Sequence, residues 1–294
     1  MAHITASPAQ QVPILTSARE LLARYPVLFC DVWGVVHNGA TAYGEACAVL
    51  GAYRKSGGVV VLVSNAPRTA PVVARILEEK RVPRSAWDVI VSSGEITVRH
   101  IAKAGYETIH HVGPERDRDL IEVIGLPETS LEAADALVVT GLIDDRRERG
   151  EDYRGRLEMA LERRLPLICA NPDLEVDVGG VFLPCAGAIA TVYEAMGGTV
   201  VWAGKPFTEP YALAHQLAEE WLARPVGPSE ILAIGDAMRT DVAGAGRYGI
   251  ASLLIGQGIH RDTLMPNGTL SPDALHALVT DADYRPIAAI EGLR

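Results

Sequence analysis

Five polar side chains of this sequence stand at or shortly after the ends of apolar runs, and their types suit phosphoryl-transfer chemistry. They are Asp31, Ser64, Lys205, Asp236 and Asp241. Carboxylates are hard oxygen ligands suited to Mg²⁺, and a hydroxyl and an ammonium can bind phosphoryl oxygens. A carboxylate can also attack phosphorus and form an aspartyl-phosphate. The set therefore predicts metal-assisted phosphoryl transfer, provided that the fold brings the five residues together.

The elements that must position these residues are predicted from the alternation of apolar runs and amphipathic segments. Strands are predicted at Val27–Cys30, Val59–Ser64, Trp87–Ser93, Thr108–Val112, Ala136–Thr140, Pro166–Ala170, Val200–Ala203, Ile231–Ile234 and Ala251–Ile255. Helices are predicted at Glu45–Lys55, Arg118–Ile124, Tyr153–Arg164, Ala188–Met196, Glu209–Leu222 and Arg239–Tyr248. One further helix is predicted to begin after Thr69, and another to follow the strand Trp87–Ser93 and end at Ile101. This alternation is typical of parallel sheets covered on both faces, and the number of strands indicates two α/β units. Ligands of such sheets bind at the carboxyl ends of the strands.

The bulk composition limits the classes of partner. The chain has 294 residues, of which 48% are hydrophobic, and 27 Lys and Arg stand against 37 Asp and Glu, a formal charge of −10. Such a chain can bury a sizeable core, but it is a poor candidate for binding nucleic acid or an anionic membrane. Its four cysteines lack C-x-x-C spacing, which predicts buried free thiols rather than disulfides or a zinc site. The sequence shows neither a secretory signal pattern nor an apolar run of membrane-spanning length, so a cytoplasmic protein is expected.

Four short motifs follow predicted strands: DVWGV (Asp31–Val35), VSN (Val63–Asn65), GKP (Gly204–Pro206) and GDAMRTD (Gly235–Asp241). They resemble the motifs of the haloacid dehalogenase superfamily, whose members are mostly phosphatases. Each motif alone is a weak signal, whereas all four in this order are a specific one. The resemblance implies a core built on a Rossmann-like, doubly wound parallel sheet.

Three further segments are ANPD (Ala170–Asp173), PCAGAI (Pro184–Ile189) and AGKP (Ala203–Pro206). They resemble segments of subfamily IIA, which has a large α/β cap and includes nucleotide, pyridoxal-phosphate and sugar-phosphate phosphatases. The stretch between Ser64 and Lys205 is long enough to hold an inserted domain. The resemblance therefore implies a catalytic core of residues 1–104 and 199–294, and an inserted α/β cap of residues 105–198.

The resemblance also implies catalytic and metal-binding roles for five residues. Asp31 is the implied nucleophile and a metal ligand, and Lys205 orients Asp31 and binds phosphate. Asp236 and the backbone carbonyl of Trp33 are implied as further metal ligands, and Asp241 supports the metal or its waters. Mg²⁺ is therefore the expected cofactor.

Substrate binding is implied for two loops. Ser64 and the backbone at Asn65 bind phosphate, and Asn171 and Asp173 follow a predicted strand of the cap. In relatives such cap loops select the substrate. The expected partner is a small phosphorylated metabolite similar to a sugar phosphate, with no nucleic acid and no membrane as a partner. A homodimer is a further arrangement that the resemblance implies.

Trp33 is the position at which the chain departs from the phosphatase pattern. Phosphatases of the superfamily carry a second Asp there, which protonates the leaving group and then activates water. An indole is only a donor and cannot act as a general base, and general acid–base help typically contributes roughly a hundred- to ten-thousand-fold. His37, four residues on, is the nearest titratable candidate for this acid–base role. Two alternatives therefore stay open: a phosphate-ligand binding or regulatory protein with weakened catalysis, and a hydrolase of another bond type.

Overall fold

Strands and helices alternate through the residues that a computed structural model of the chain describes, 11–178 and 180–294. The strands are β1 (Ile14–Leu15), β2 (Val27–Cys30), β3 (Val59–Ser64), β4 (Val89–Ser92), β5 (Ile109–Val112), β6 (Ala136–Val139), β7 (Leu167–Cys169), β8 (Glu175–Val178), β9 (Val181–Pro184), β10 (Val200–Trp202), β11 (Ile231–Gly235), β12 (Ala251–Ile255) and β13 (Ala288–Ile290). The α-helices are α1 (Arg19–Leu22), α2 (Gly44–Lys55), α3 (Ala70–Glu79), α4 (Ser93–Ala104), α5 (Arg118–Ile124), α6 (Arg154–Glu162), α7 (Ala186–Ala195), α8 (Glu209–Leu222), α9 (Ala243–Tyr248), α10 (Arg261–Leu264) and α11 (Pro272–Thr280).

Seven parallel strands form the larger sheet, in the order β1-β13-β12-β11-β2-β3-β4. Strand β2 lies inside this sheet, and all four of its apolar residues are buried. Leu28 and Cys30 pack into one hydrophobic cluster with α2, whereas Val27 and Phe29 pack into another with α8. Because successive side chains of a strand point to opposite faces, helices cover the sheet on both sides. The predicted Rossmann-like, doubly wound α/β fold is confirmed.

A second, four-stranded parallel sheet has the order β10-β7-β6-β5, and the antiparallel hairpin β8–β9 accompanies it. Strands β6 and β7 and helix α7 contribute to a separate hydrophobic cluster. The four-stranded sheet, the hairpin and the helices packed on them are called the second unit below. Strand β10 pairs with β7 from Val200 to Trp202. The predicted division assigns these residues to the core, but they lie in the second sheet. The sequence did not predict this, because an apolar run fits either sheet equally well. The division into 1–104, 105–198 and 199–294 otherwise stays a prediction.

Some elements near the edges of the two sheets differ from the sequence expectation. Hairpin β8–β9 is absent from the prediction because its strands are short and only partly buried, so that their apolar pattern is weak. The predicted helix Arg239–Tyr248 begins as a π-helical turn, Met238–Val242, and continues as α9. The C-terminal elements α10, α11 and β13 are also absent from the prediction. The hairpin and the π-helical turn both lie beside the candidate site described below.

The cysteines carry no covalent or metal-binding role within the described residues. All four are free and buried, as the sequence predicts. Burial raises the pKa of the Cys30 thiol well above its ordinary value, so this thiol is protonated and unreactive. None of the described helices combines the length and the apolar character that a membrane span needs.

Candidate active site

The carboxyl ends of β2, β3 and β11 meet at one edge of the larger sheet, where three predicted site residues lie. Asp31 directly follows β2, Ser64 is the last residue of β3, and Asp236 directly follows β11. The backbone N–H of Asp31 donates to the carbonyl oxygen of Ile234 at 2.8 Å, which extends the pairing of β2 with β11 up to the site. Because parallel strands end at the same edge, residues far apart in the sequence come together here.

Lys205 links the first and the fourth motif through its ammonium group. Its Nζ donates to Asp31 Oδ1 at 2.6 Å and to Asp241 Oδ1 at 2.7 Å, and the residue is only 3% exposed. The other oxygen of Asp241 accepts the backbone N–H of Ala237 at 3.1 Å. Both oxygens of Asp241 are therefore engaged, and Asp241 and Lys205 together fix the position of the Asp31 carboxylate.

The three acids of the site carry more negative charge than Lys205 can balance. Asp31, Asp236 and Asp241 each present a carboxylate oxygen within 4.8 Å of the others. Burial and the nearby Asp241 raise the pKa of Asp31 to about 7, although Lys205 opposes the shift. Burial also raises the pKa of Asp236 well above its ordinary value, with further repulsion from Asp31 and Asp241. A divalent cation would relieve this repulsion, and carboxylates are the hard donors that Mg²⁺ prefers, so the residues fit the ion.

Two glycines allow the backbone to approach the carboxylate of Asp236. A Cβ atom at Gly34 would lie 2.0 Å from Asp236 Oδ2, and one at Gly258 would lie 1.9 Å from the same oxygen. Gly34 also has a φ of +79°, a conformation that favours glycine. Asp236 Oδ2 accepts the backbone N–H of Ile259 at 2.7 Å. No described residue donates a hydrogen bond to the backbone carbonyl of Trp33, which leaves this oxygen available to a metal.

The crowded acids predict that the protein without metal loses stability as the pH rises. The folded-state pKa of Asp31 is about 7 against an ordinary 3.8, so between these values only the folded state holds this proton. We expect this group to lower the free energy of unfolding in EDTA by about 1 kcal/mol between pH 6 and pH 8. Mg²⁺ should stabilise the protein more at pH 8 than at pH 6, because protons compete with the ion. Thermal unfolding of the wild type and Asp31→Asn checks this, and equal pH slopes for both proteins in EDTA would contradict it.

The loop after β3 offers a hydroxyl and backbone groups to a phosphate. Ser64 Oγ borders a cavity and accepts the backbone N–H of Ala66 at 3.2 Å. The Asn65 side chain serves a structural purpose: its Oδ1 accepts the backbone N–H of Lys205 at 2.7 Å. Its Nδ2 donates to the Lys205 carbonyl at 3.1 Å and to Asp173 Oδ1 at 2.9 Å. The Ser64 hydroxyl and the backbone at Asn65 thus remain the predicted phosphate-binding groups of this loop.

Two arginines outside the sequence prediction tie the larger sheet to the second unit. Arg68, in the loop after β3, donates to Asp117 at 2.6 Å and lies 3.3 Å from Asp119. Arg239, within the fourth motif, donates to the carbonyl oxygen of Pro172 at 2.8 Å. Arg68 lies three residues after the second motif and Arg239 lies inside the fourth, and the closeness of a basic residue to a predicted site motif was the available signal.

Trp33 also contacts the second unit. Its indole N–H donates to the carbonyl oxygen of Asp177, on β8, at 2.9 Å, and its ring meets that of His37 edge to face, with centroids 5.1 Å apart. His37 is 3% exposed, and its Nδ1 accepts the backbone N–H of Gly39 at 2.9 Å. Burial lowers the pKa of His37 to about 4. His37 is therefore a neutral, buried residue that stabilises its loop, and Trp33 tethers the hairpin β8–β9.

A cavity of about 420 Å³ lies between the two units and opens onto Asp31. Ser64 and Arg68 border it from the larger sheet, and the predicted substrate-selecting residues Asn171 and Asp173 border it from the second unit. Apolar side chains of the hairpin β8–β9 form part of its wall. Its volume is within the range of small-molecule sites in proteins. The structure thus places the candidate nucleophile at the floor of a site that both units enclose.

Comparison with known proteins agrees with this geometry. Residues 28–127 match the model of the haloacid dehalogenase-like hydrolases, and residues 202–282 match a second, HAD-hydrolase-like model. The chain is 38% identical to a haloacid dehalogenase-like hydrolase from Brucella suis, covering 96% of this chain and 100% of that one, with a TM-score of 0.85. It is 27% identical over 267 residues to the 5'-nucleotidase YutF of Bacillus subtilis, covering 89% of this chain and 98% of that protein.

A more distant structure shares the fold. A possible sugar phosphatase from Cytophaga hutchinsonii is 21% identical, with a TM-score of 0.76, and the match covers 95% of this chain and 98% of that one. The alignments span both units rather than the larger sheet alone, because they include nearly every residue of the chain. The chain therefore belongs to the haloacid dehalogenase superfamily, and it is a hydrolase of the phosphatase type.

Proposed function

We propose that the protein is a Mg²⁺-dependent phosphatase of a small phosphorylated metabolite, similar to a sugar phosphate, and that it acts through an aspartyl-phosphate on Asp31. The observation that carries this proposal is the position of the Asp31 carboxylate. Its Oδ1 accepts a hydrogen bond from Lys205 Nζ at 2.6 Å, and Asp31 borders the cavity. An attacking carboxylate must be ionised, and the adjacent ammonium favours its ionised form. Asp31, Asp236 and the Trp33 carbonyl would hold Mg²⁺, which supplies positive charge for the phosphoryl group.

The residues of the site divide the phosphoryl-transfer step between them. Lys205 and Ser64 bind phosphoryl oxygens, together with the backbone N–H at Asn65. The Asp31 carboxylate attacks phosphorus and displaces the alcohol, and water then attacks phosphorus of the aspartyl-phosphate and releases inorganic phosphate. Asp241 keeps Lys205 in register with Asp31 through its 2.7 Å contact.

The size and the lining of the cavity support a substrate of metabolite size. About 420 Å³ is enough space for a phosphorylated sugar or a mononucleotide. Lys80 and Arg146 border the cavity and form no ion pair with any described residue, so they can attract a phosphate dianion to a chain that is acidic as a whole. The relatives named as a 5'-nucleotidase and a possible sugar phosphatase support the same class.

The two alternative functions have less support. The cluster of Asp31, Asp236 and Asp241 favours a metal ion, which dehalogenation in relatives does not need. A binding protein without turnover would not need a carboxylate that is fixed beside Lys205. The cytoplasmic location and the homodimer stay predictions.

The proposed function is tested with the purified protein and a panel of phosphate esters. The panel contains 4-nitrophenyl phosphate, sugar monophosphates, glycerol phosphate and nucleoside monophosphates. We expect phosphate release that EDTA stops and added Mg²⁺ restores, with one class of alkyl phosphate preferred. Equal release with and without metal, or no release from any ester at saturating Mg²⁺, would contradict the proposal.

A further inference from the structure

We propose that Asp173, on the loop that follows β7, is the general acid and general base of the reaction. It would take the role that an Asp at position 33 has in other phosphatases of the superfamily. This inference rests on the phosphatase activity proposed above. It turns Asp173 from a residue that selects the substrate into one that transfers protons to and from the reacting oxygens.

Neither Trp33 nor His37, which lie close to the nucleophile in sequence, can take this role. The Trp33 indole cannot accept a proton, and its N–H is engaged with the Asp177 carbonyl. His37 is buried, its Nδ1 is engaged with the Gly39 N–H, and its ring packs on Trp33. The acid and base must therefore come from another element that reaches the site.

The two cavities at the site single out Asp173. The cavity of about 420 Å³ and a second one of about 220 Å³ both reach the nucleophile. The residues that border both are Asp31, Trp33, Asp173 and Val176. Within the described residues, Asp173 is thus the one carboxylic acid other than Asp31 that faces both cavities. Asp173 therefore lies on the walls of the same two cavities as Asp31, where the ester would bind.

The remaining acids around the cavities are committed elsewhere. Asp117 pairs with Arg68, and Asp145 pairs with Arg116. Asp236 belongs to the acidic cluster that fits the metal. Glu175 borders only the smaller cavity and is exposed.

The loop holds the Asp173 carboxyl group in a defined position at the rim of the phosphate-binding loop. Its Oδ1 accepts from Asn65 Nδ2 at 2.9 Å, and no described residue donates to its Oδ2. Its backbone N–H donates to Asn171 Oδ1 at 3.1 Å, and its carbonyl accepts the N–H of Gly187 at 3.1 Å. Burial raises the pKa of Asp173 against the opposing effects of Lys205 and Asn65, which favours the protonated form that an acid needs.

The tryptophan at position 33 fits this arrangement. Asp177, whose carbonyl accepts the Trp33 indole N–H, lies four residues after Asp173 on the same segment of the second unit. Trp33 therefore tethers the segment that carries Asp173 to the loop that carries Asp31. We infer that position 33 has exchanged a proton-transfer role for a positioning role.

The proton transfers balance over the two steps. In the first, an Asp31 oxygen bonds to phosphorus, the ester P–O bond breaks, and the Asp173 proton passes to the departing alkoxide. In the second, water attacks phosphorus and gives a proton to the Asp173 carboxylate, while the bond between phosphorus and Asp31 breaks. Inorganic phosphate leaves, and Asp31 is ionised and Asp173 protonated as at the start.

The test is Asp173→Asn, which keeps an oxygen for the Asn65 contact, with Glu175→Gln as the matched control. With 4-nitrophenyl phosphate, whose leaving group needs no acid, we expect nearly unchanged kcat/KM. Because the base is lost, we also expect a burst of about one nitrophenolate per site, followed by turnover about a hundred-fold slower. With the best alkyl phosphate of the panel, kcat/KM should fall by about a hundred-fold or more. Glu175→Gln should show neither change.

The ratio of alkyl to aryl kcat/KM does not depend on the folded fraction, so poor folding of the variant cannot mimic the result. Asp173→Asn with no burst and an unchanged ratio would overturn the inference while leaving the phosphatase activity standing. A gain in alkyl phosphate turnover in Trp33→Asp would also overturn it, because the acid would then be missing in the wild type. An inactive wild type would instead contradict the proposed function itself.

Discussion

Replacement of Asp31 by asparagine is expected to abolish turnover of every phosphate ester that the protein hydrolyses. The asparagine keeps the size of the side chain but cannot attack phosphorus, and it provides one anionic metal ligand fewer. Loss of the covalent nucleophile in other hydrolases lowers kcat by on the order of a thousand-fold or more, and we expect a loss of at least this size. Steady-state release of phosphate at saturating Mg²⁺ measures it.

The same substitution should leave the fold intact, which separates catalysis from stability. In EDTA at pH 8 the variant should be at least as stable as the wild type, because it relieves the repulsion among Asp31, Asp236 and Asp241. Asp283→Asn, at an exposed position, is the matched control and should keep full activity. Residual activity of Asp31→Asn above a tenth of the wild type would show that another group attacks phosphorus.

Replacement of Lys205 by methionine is expected to remove both activity and much of the stability at neutral pH. Its Nζ is the cation shared by Asp31 and Asp241, and removal of one partner of a buried ion pair typically costs about 3–5 kcal/mol. Two close carboxylates would then lack their counter-charge, so the loss of stability should be larger at pH 8 than at pH 6. Chemical denaturation at both pH values measures the change.

A surface lysine gives the control for this effect. Lys103, exposed near the end of α4, should tolerate methionine with a change in stability within about 0.5 kcal/mol. Mg²⁺ should recover part of the stability of Lys205→Met, because the ion can neutralise the same acids. A loss for Lys205→Met that is independent of pH and of Mg²⁺ would indicate lost packing rather than lost charge balance.

The strands and helices of the larger sheet were largely predictable from the sequence. Val27–Cys30, Val59–Ser64 and Ala251–Ile255 are strands with the predicted bounds, and Glu209–Leu222 is a helix with the predicted bounds. These segments have continuous apolar runs or a clear helical period, and both patterns follow directly from burial. The hairpin β8–β9 escaped prediction because much of its surface is exposed.

The part of the site on the larger sheet was predictable for the same reason, whereas the part that the second unit contributes was not. Asp31 and Asp236 directly follow buried parallel strands and Ser64 ends one, so their convergence follows from the sheet. The contact of Trp33 with Asp177 joins residues 144 positions apart on two units. Such a contact depends on how the units pack against each other, which no local pattern of residues encodes. The positioning role of Trp33 could therefore be inferred only from the structure.

The central claim is that Asp31 carries the phosphoryl group, and trapping this intermediate tests it most directly. The Mg²⁺-loaded protein is quenched in acid during turnover of 4-nitrophenyl phosphate, treated with borohydride, and digested for peptide mass spectrometry. An aspartyl-phosphate is reduced to homoserine, so we predict homoserine at position 31 and at no other position. Release of phosphate with an unmodified Asp31, or homoserine at another aspartate, would contradict the account.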